Sequence, residues 1–199
     1  MIDNIGYKVI PGLITKDAAL LTASNLEILR IITHMSNNVP LNSTTAFNDS
    51  QVTQSFAWYS SYATESLLLY LRPEIEKIVG KNLWPTYSYA RIYWPGAEMA
   101  EHQDRASCEY SVTITLEDDG EEEWPIWFRH DDGKTVPLIL KEGDGCVYEG
   151  CVRPHWREPY KGKRQTQAFL HYVDADGPYA DFKFDKRQFV GLPKANNER

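Results

Sequence analysis

The hydrophobic pattern of this chain changes period once, near Trp84, and that switch limits the folds open to it. Ahead of the switch, residues 14–35 (ITKDAALLTASNLEILRIITHM) repeat Leu, Ile and Ala at helical spacing behind Thr15, a hydroxyl suited to cap a first turn. Thr64 to Val79 is a second helical stretch, with Leu67, Leu68, Tyr70, Leu71, Ile75 and Ile78 forming its apolar stripe. Pro73 is expected to disturb or split that helix, because proline removes a donor and crowds the preceding turn. Ser36 to Thr53, rich in Asn, Ser and Thr, reads as loop. Beyond Trp84 the pattern becomes short strands and turns: Tyr87–Tyr93, Ser111–Leu116, Trp124–Arg129, Thr135–Leu140, Cys146–Tyr148 and Gln165–Val173. Asp132-Gly133 is a hairpin signal between two of them. Helices followed by many short strands predict an α+β chain in which two sheets form a jelly roll buttressed by N-terminal helices. We expect one domain over residues 1–199, with a helical support region over 1–84 and the jelly-roll core over 85–190.

Composition sets broad limits. With 199 residues, 42% hydrophobic and 25% charged, the chain can bury a sizeable core without covalent staples. No run of about 18 apolar residues predicts a membrane span, and Met1-Ile2-Asp3-Asn4 lacks the basic and apolar regions of a signal peptide. A cytoplasmic location is the resulting expectation. Three cysteines (Cys108, Cys146, Cys151) without C-x-x-C spacing argue against a disulfide framework or a zinc knuckle. The net charge of −7 disfavours nucleic acid as a partner, since phosphate binding calls for basic patches. The acidic run Glu117 to Glu123 reads as a solvated turn.

The chemistry is concentrated in His102-Gln103-Asp104, His155 and Arg164. Two histidines and one carboxylate hold a non-heme iron(II) on one face and leave its other positions open. His102 and Asp104 stand two residues apart, so an extended strand projects both from the same face. His155 must then come from another strand packed alongside. Arg164 begins the alternating strand KRQTQAFLHYV, and its planar guanidinium is suited to grip a carboxylate. Lys161 and Lys163 are the competing cations at that place.

These residues carry a resemblance. Tyr93-Trp94-Pro95-Gly96 through His102-Gln103-Asp104 resembles the Y-x-P-G…H-x-D segment of iron(II)- and 2-oxoglutarate-dependent dioxygenases of the prolyl 4-hydroxylase-like group. His155, Glu158-Pro159, Gly162 and Arg164 extend the resemblance, which covers about residues 85–175. It implies a double-stranded β-helix in which His102, Asp104 and His155 bind iron(II), and Arg164 with Tyr93 binds 2-oxoglutarate. Where relatives often carry a tyrosine on the strand after H-x-D, this chain has Thr115, whose hydroxyl is the expected substitute donor. The implied activity is O2-dependent hydroxylation of a C–H bond in a prolyl-like peptide residue or amino-acid-like substrate, with decarboxylation of 2-oxoglutarate to succinate. Ascorbate enters as an optional accessory. Asp104 favours hydroxylation over halogenation, because a halogenase vacates the carboxylate position.

The remaining candidates read as structure. His34 is expected on a helix, His130 exposed beside a turn, and His171 in a core or wall position. The tryptophans are expected in core and rim packing. Arg153-Pro154 is expected to stiffen the distal ligand and Arg157 to face the substrate. Substrate choice is expected to lie in loops 36–53 and 117–124 and in the tail after Asp176. The alternative from another class is a non-catalytic, cupin-like jelly roll that keeps a metal or ligand; a carboxylate anchor inside the barrel would discriminate against it.

Overall fold

The computed structural model describes residues 2, 5–120 and 122–193; the expected frayed end at 194–199 lies outside them. Among the described residues two α-helices and ten strands follow in the order β1 (Tyr7–Ile10), α1 (Lys16–Ser36), β2 (Ser55–Tyr59), α2 (Tyr62–Val79), β3 (Leu83–Tyr93), β4 (Met99–His102), β5 (Tyr110–Asp118), β6 (Ile126–Arg129), β7 (Thr135–Leu138), β8 (Gly145–Glu149), β9 (His155–Arg157) and β10 (Gln165–Asp174). Six strands form one antiparallel sheet in the order β1-β8-β5-β10-β3-β2, and four form a second in the order β4-β9-β6-β7. This is a jelly roll, as expected. The N-terminal region supplies more than helices, because β1 and β2 from it close the two edges of the larger sheet.

Both helices cover the outer face of that sheet. Ala19 and Ala23 of α1 and Leu68, Leu71 and Ile75 of α2 pack on Val112, Ile114, Leu116, Ala168, Leu170 and Tyr172. Each fully buried Leu or Ile among them stabilises the fold by about 1.5–3 kcal/mol. Thr15 caps α1 by accepting from the Ala18 amide at 3.2 Å, and Ser61 does the same for Thr64 of α2. Gly80, at φ +78°, ends α2 in the left-handed conformation.

Pro73 does not split α2, which runs through it unbroken. The N–H it lacks would have donated to the Leu69 carbonyl, and Leu69, Tyr70 and Pro73 all lie on the exposed side. Water can serve the freed carbonyl there. Asp132-Gly133 forms the β6–β7 hairpin as expected, with Gly133 at φ +83°. The acidic segment differs from a bare solvated turn. Glu117 and Asp118 extend β5, and Asp119 accepts from the Tyr160 hydroxyl and from the Lys163 and Arg164 amides.

Candidate metal centre

Alternation along the strands decides what the space between the sheets contains. On β10, Ala168, Leu170 and Tyr172 face the helices, which leaves Gln165, Gln167, Phe169 and His171 facing inward. Their partners on β3 are Tyr93, Arg91 and Tyr89, and on β5 Thr115 and Thr113. In the smaller sheet His155 and Arg157 share the inward face of β9, while Trp156 points outward and stacks on Trp127.

His102 ends β4 directly opposite His155 on β9, and Asp104 follows two residues later. The imidazole centroids are 4.3 Å apart, and Asp104 Oδ1 lies 3.5 Å from His102 Nε2 and 3.6 Å from His155 Nε2. One ligand atom from each residue falls within 4.8 Å of the others. The Nδ1 atoms of His102 and His155 lie 2.9 Å from the Ala100 and Arg153 carbonyl oxygens. A carbonyl only accepts, so each Nδ1 carries the proton and each Nε2 presents a lone pair toward Asp104. This donor set fits a divalent metal of the iron(II) type.

Ser111 on β5 donates to Asp104 Oδ2 at 2.8 Å, which turns Oδ1 toward the histidines, and Ser111 Oγ is 2.9 Å from His171 Nδ1. Burial alone would raise the Asp104 carboxyl. Pairing with His102, the charges of His155 and His171 and the Ser111 bond outweigh it and hold the group well below the usual carboxylate range. His102 is lowered by burial but raised more by Asp104, and its net shift is upward. Burial lowers His155 and pushes His171 down to about 4, so both are neutral near pH 7.

Gly150 makes room for this arrangement. A Cβ there would lie 2.5 Å from Asp104 Oδ2 and 2.8 Å from Ser111 Oγ, and closer still to the Cys108 carbonyl. The Gly150 carbonyl also accepts from the Asp104 amide at 2.9 Å.

The open side of the triad faces a cavity of about 1010 Å³. Its wall is aromatic, with Trp58, Tyr59, Tyr62, Tyr87 and Tyr89. Two arginines on it are already paired, Arg91 with Asp49 and Gln51, and Arg105 with Asp185. Asn48 to Gln51 and Gly191 to Pro193 line it as expected for the loop and the tail, whereas residues 117–124 do not.

Three expected cosubstrate residues have different fates. Tyr93 is fully buried between the sheets and its hydroxyl has no partner. Thr115 faces inward, but its hydroxyl donates to the Leu140 carbonyl at 3.0 Å and accepts from Gln167 at 2.9 Å, so its proton is committed. Arg164 is not brought to the site. It has the parity of Ala168 and Leu170, lies on the helix side, and pairs at 3.2 Å with both Glu27 of α1 and Glu117. A bulge in β5 between Thr115 and Glu117 turns Glu117 to that same side. Arg157, expected to face substrate, is 2% exposed, and burial lowers its pKa.

Among the others, His171 stands in the wall as expected. His130 is half-buried against the Tyr7 hydroxyl at 3.1 Å instead of exposed. Sequence reasoning missed Ser111, Gly150 and the Arg91–Asp49 pair, which carry no motif; the alternation of β10 did hold a signal that Arg164 and His171 lie on opposite faces.

No family model matches the chain, and no curated protein does. Solved structures share the fold. A prolyl-4-hydroxylase of Pseudomonas putida is 15% identical, with 86% of this chain and 94% of that one covered, at a TM-score of 0.61. The epimerase SnoN in complex with Fe3+, alpha-ketoglutarate and nogalamycin RO is 14% identical over 94% and 88% of the two chains, at 0.66. HygX of Streptomyces hygroscopicus, with nickel, 2-oxoglutarate and hygromycin B bound, is 12% identical over 87% and 85%, at 0.64.

Proposed function

We propose that this protein is an iron(II)- and 2-oxoglutarate-dependent oxygenase that hydroxylates a C–H bond. The observation that carries the reading is the convergence of His102 Nε2, His155 Nε2 and Asp104 Oδ1 on one point beside a large cavity, with both histidine tautomers fixed by backbone carbonyls. When bound there, iron(II) with 2-oxoglutarate supplies oxidative decarboxylation coupled to oxygen insertion.

The chain's own residues bind and orient. Ala100 and Arg153 hold the imidazole protons on Nδ1, and Ser111, braced by His171, holds Asp104 Oδ2 away from the ligand point. Tyr148 packs edge-on against the His155 ring at 4.8 Å and keeps water from that side. The aromatic wall, whose cations are internally paired, suits a substrate with a flat or amphipathic body. Its volume accommodates a peptide segment or a bulky small molecule as well as an amino-acid-like group. Ascorbate would serve as an accessory reductant.

The test is anaerobic addition of iron(II) and then 2-oxoglutarate, followed by the visible charge-transfer band of such a chelate and, after oxygen is admitted, by succinate release. The wild type should give the band and His102→Ala should not. Tight iron binding with no band and no succinate would favour a metal-holding jelly roll without 2-oxoglutarate chemistry.

A further inference from the structure

Five arginines are buried among the described residues, and four of them meet a carboxylate. Arg30 pairs with Glu27, Arg91 with Asp49, Arg153 with Asp131 and Arg187 with Glu65. Arg157 meets none. Its Nη1 donates to the Trp124 carbonyl at 2.7 Å, and its Nε is buried without a partner. A buried guanidinium in that state is costly, and an anion seated beside it would offset the cost.

Two further polar atoms without partners belong to the same end of the barrel. The Tyr93 hydroxyl is one, and Oε1 of Gln165, which sits opposite Tyr93 in the β3–β10 pairing, is the other. The Trp124 ring joins the group, 4.9 Å from the Tyr93 ring and 4.7 Å from the Arg157 guanidinium carbon. Three side chains, each at most 2% exposed, thus leave hydrogen-bonding atoms unused in one inward-facing neighbourhood. Met99 and Phe169 pack with Tyr93 and Trp124 and also line the metal-side cavity, so the group begins where the cavity ends.

We propose that Arg157 and Tyr93 form the seat for the far carboxylate of the 2-oxo acid, in place of Arg164. The proposal rests on the oxygenase reading and assigns its anion anchor. The inward position at the start of β10 is the neutral Gln165, and the cation needed there comes from the neighbouring smaller sheet, two residues beyond His155 on the same face of β9. Arg164 is spent on Glu27 and Glu117, and Arg91 on Asp49 and Gln51. Arg157 keeps an unused N–H, and the guanidinium fork is the group best shaped for a carboxylate.

The experiment titrates 2-oxoglutarate into the full chain loaded anaerobically with iron(II), reading the charge-transfer band. Arg157→Gln should need at least about tenfold more 2-oxoglutarate, a loss in keeping with a charge-assisted pair. Tyr93→Phe should need several-fold more, and Arg164→Gln should match the wild type. With 2-oxopentanoate, which lacks the far carboxylate, wild type and Arg157→Gln should be alike. A wild-type band with Arg157→Gln unaffected and Arg164→Gln weakened would overturn the assignment and leave the oxygenase reading standing. Absence of the band in the wild type would overturn both. Should Arg157→Gln fail to fold, an unchanged affinity in Tyr93→Phe, which removes only the unpartnered hydroxyl, would overturn the assignment.

Discussion

His102 must lose a proton before it can bind a metal, and its pKa lies above the ordinary histidine value because Asp104 pairs with the charged form. In the metal-free protein that pairing contributes stability that is fully present below the unfolded pKa, near 6.5, and lost as pH rises through the raised value. Metal binding displaces the proton, so apparent iron(II) affinity should rise about tenfold per pH unit through this window and level off above it. His155, lowered by burial, loses its proton at lower pH than His102, so the slope at the upper end of the window reports His102. Anaerobic affinity measurements from about pH 6.5 to 8, each with proton release recorded, check the single-proton slope. At the same scale, Gly150→Ala should weaken iron(II) at least tenfold, because its methyl would push on Asp104 Oδ2 and Ser111. Equal affinity in that variant would show that Asp104 tolerates displacement.

Among the elements, α2 and the C-terminal segment are tied through one buried carboxylate. Glu65 accepts from the Ser88 amide at 2.8 Å, the Ser88 hydroxyl at 3.0 Å, the Gly191 amide at 2.6 Å and Arg187 at 3.1 Å. It thereby joins α2 to β3 and to Gly191–Pro193, which lines the cavity. Glu65→Gln leaves Arg187 as a buried cation without its partner, and should cost about 3 kcal/mol in urea unfolding. Limited proteolysis should then cut the segment after Lys186 sooner than in the wild type. Retained stability with unchanged cleavage would mean the tie is not used. The elements themselves were largely legible. The hydroxyl at Thr15 and the 3.6-residue period placed α1 within two residues, and the strand-like runs placed six strands of the jelly roll. β1, β2, β4 and β9 carried no such run, since three to five residues beside loop-like sequence hold too little periodicity. Pro73 misled, because its cost depends on whether water reaches the freed carbonyl.

At the scale of the molecule, the triad is drawn from β4, the turn after it and β9, and a metal joining them binds only the folded arrangement. Metal should therefore raise stability by mass action, by about 2.7 kcal/mol at a free concentration of 100 times its Kd. Thermal unfolding with and without nickel(II), a redox-silent stand-in, should show the increase in the wild type and lose it in His155→Ala. The H-x-D spacing, the distal histidine and the succession of helix and strand periods were determined by the sequence alone, because they depend on residues close along the chain, although Asp104 reaches the histidines from the turn after β4 and not from the strand itself. The tertiary structure alone decided which face. One side of β10 carries Ala168, Leu170 and Tyr172 and the other Gln165, Gln167, Phe169 and His171, an alternation that separates two faces without saying which looks into the barrel. Long-range pairing settled it: the helices claimed the parity of Arg164, the bulge in β5 supplied Glu117 as a further partner, and Arg157 was left inside without one. A charge's neighbours belong to the packing of distant segments, and no spacing along the chain encodes them.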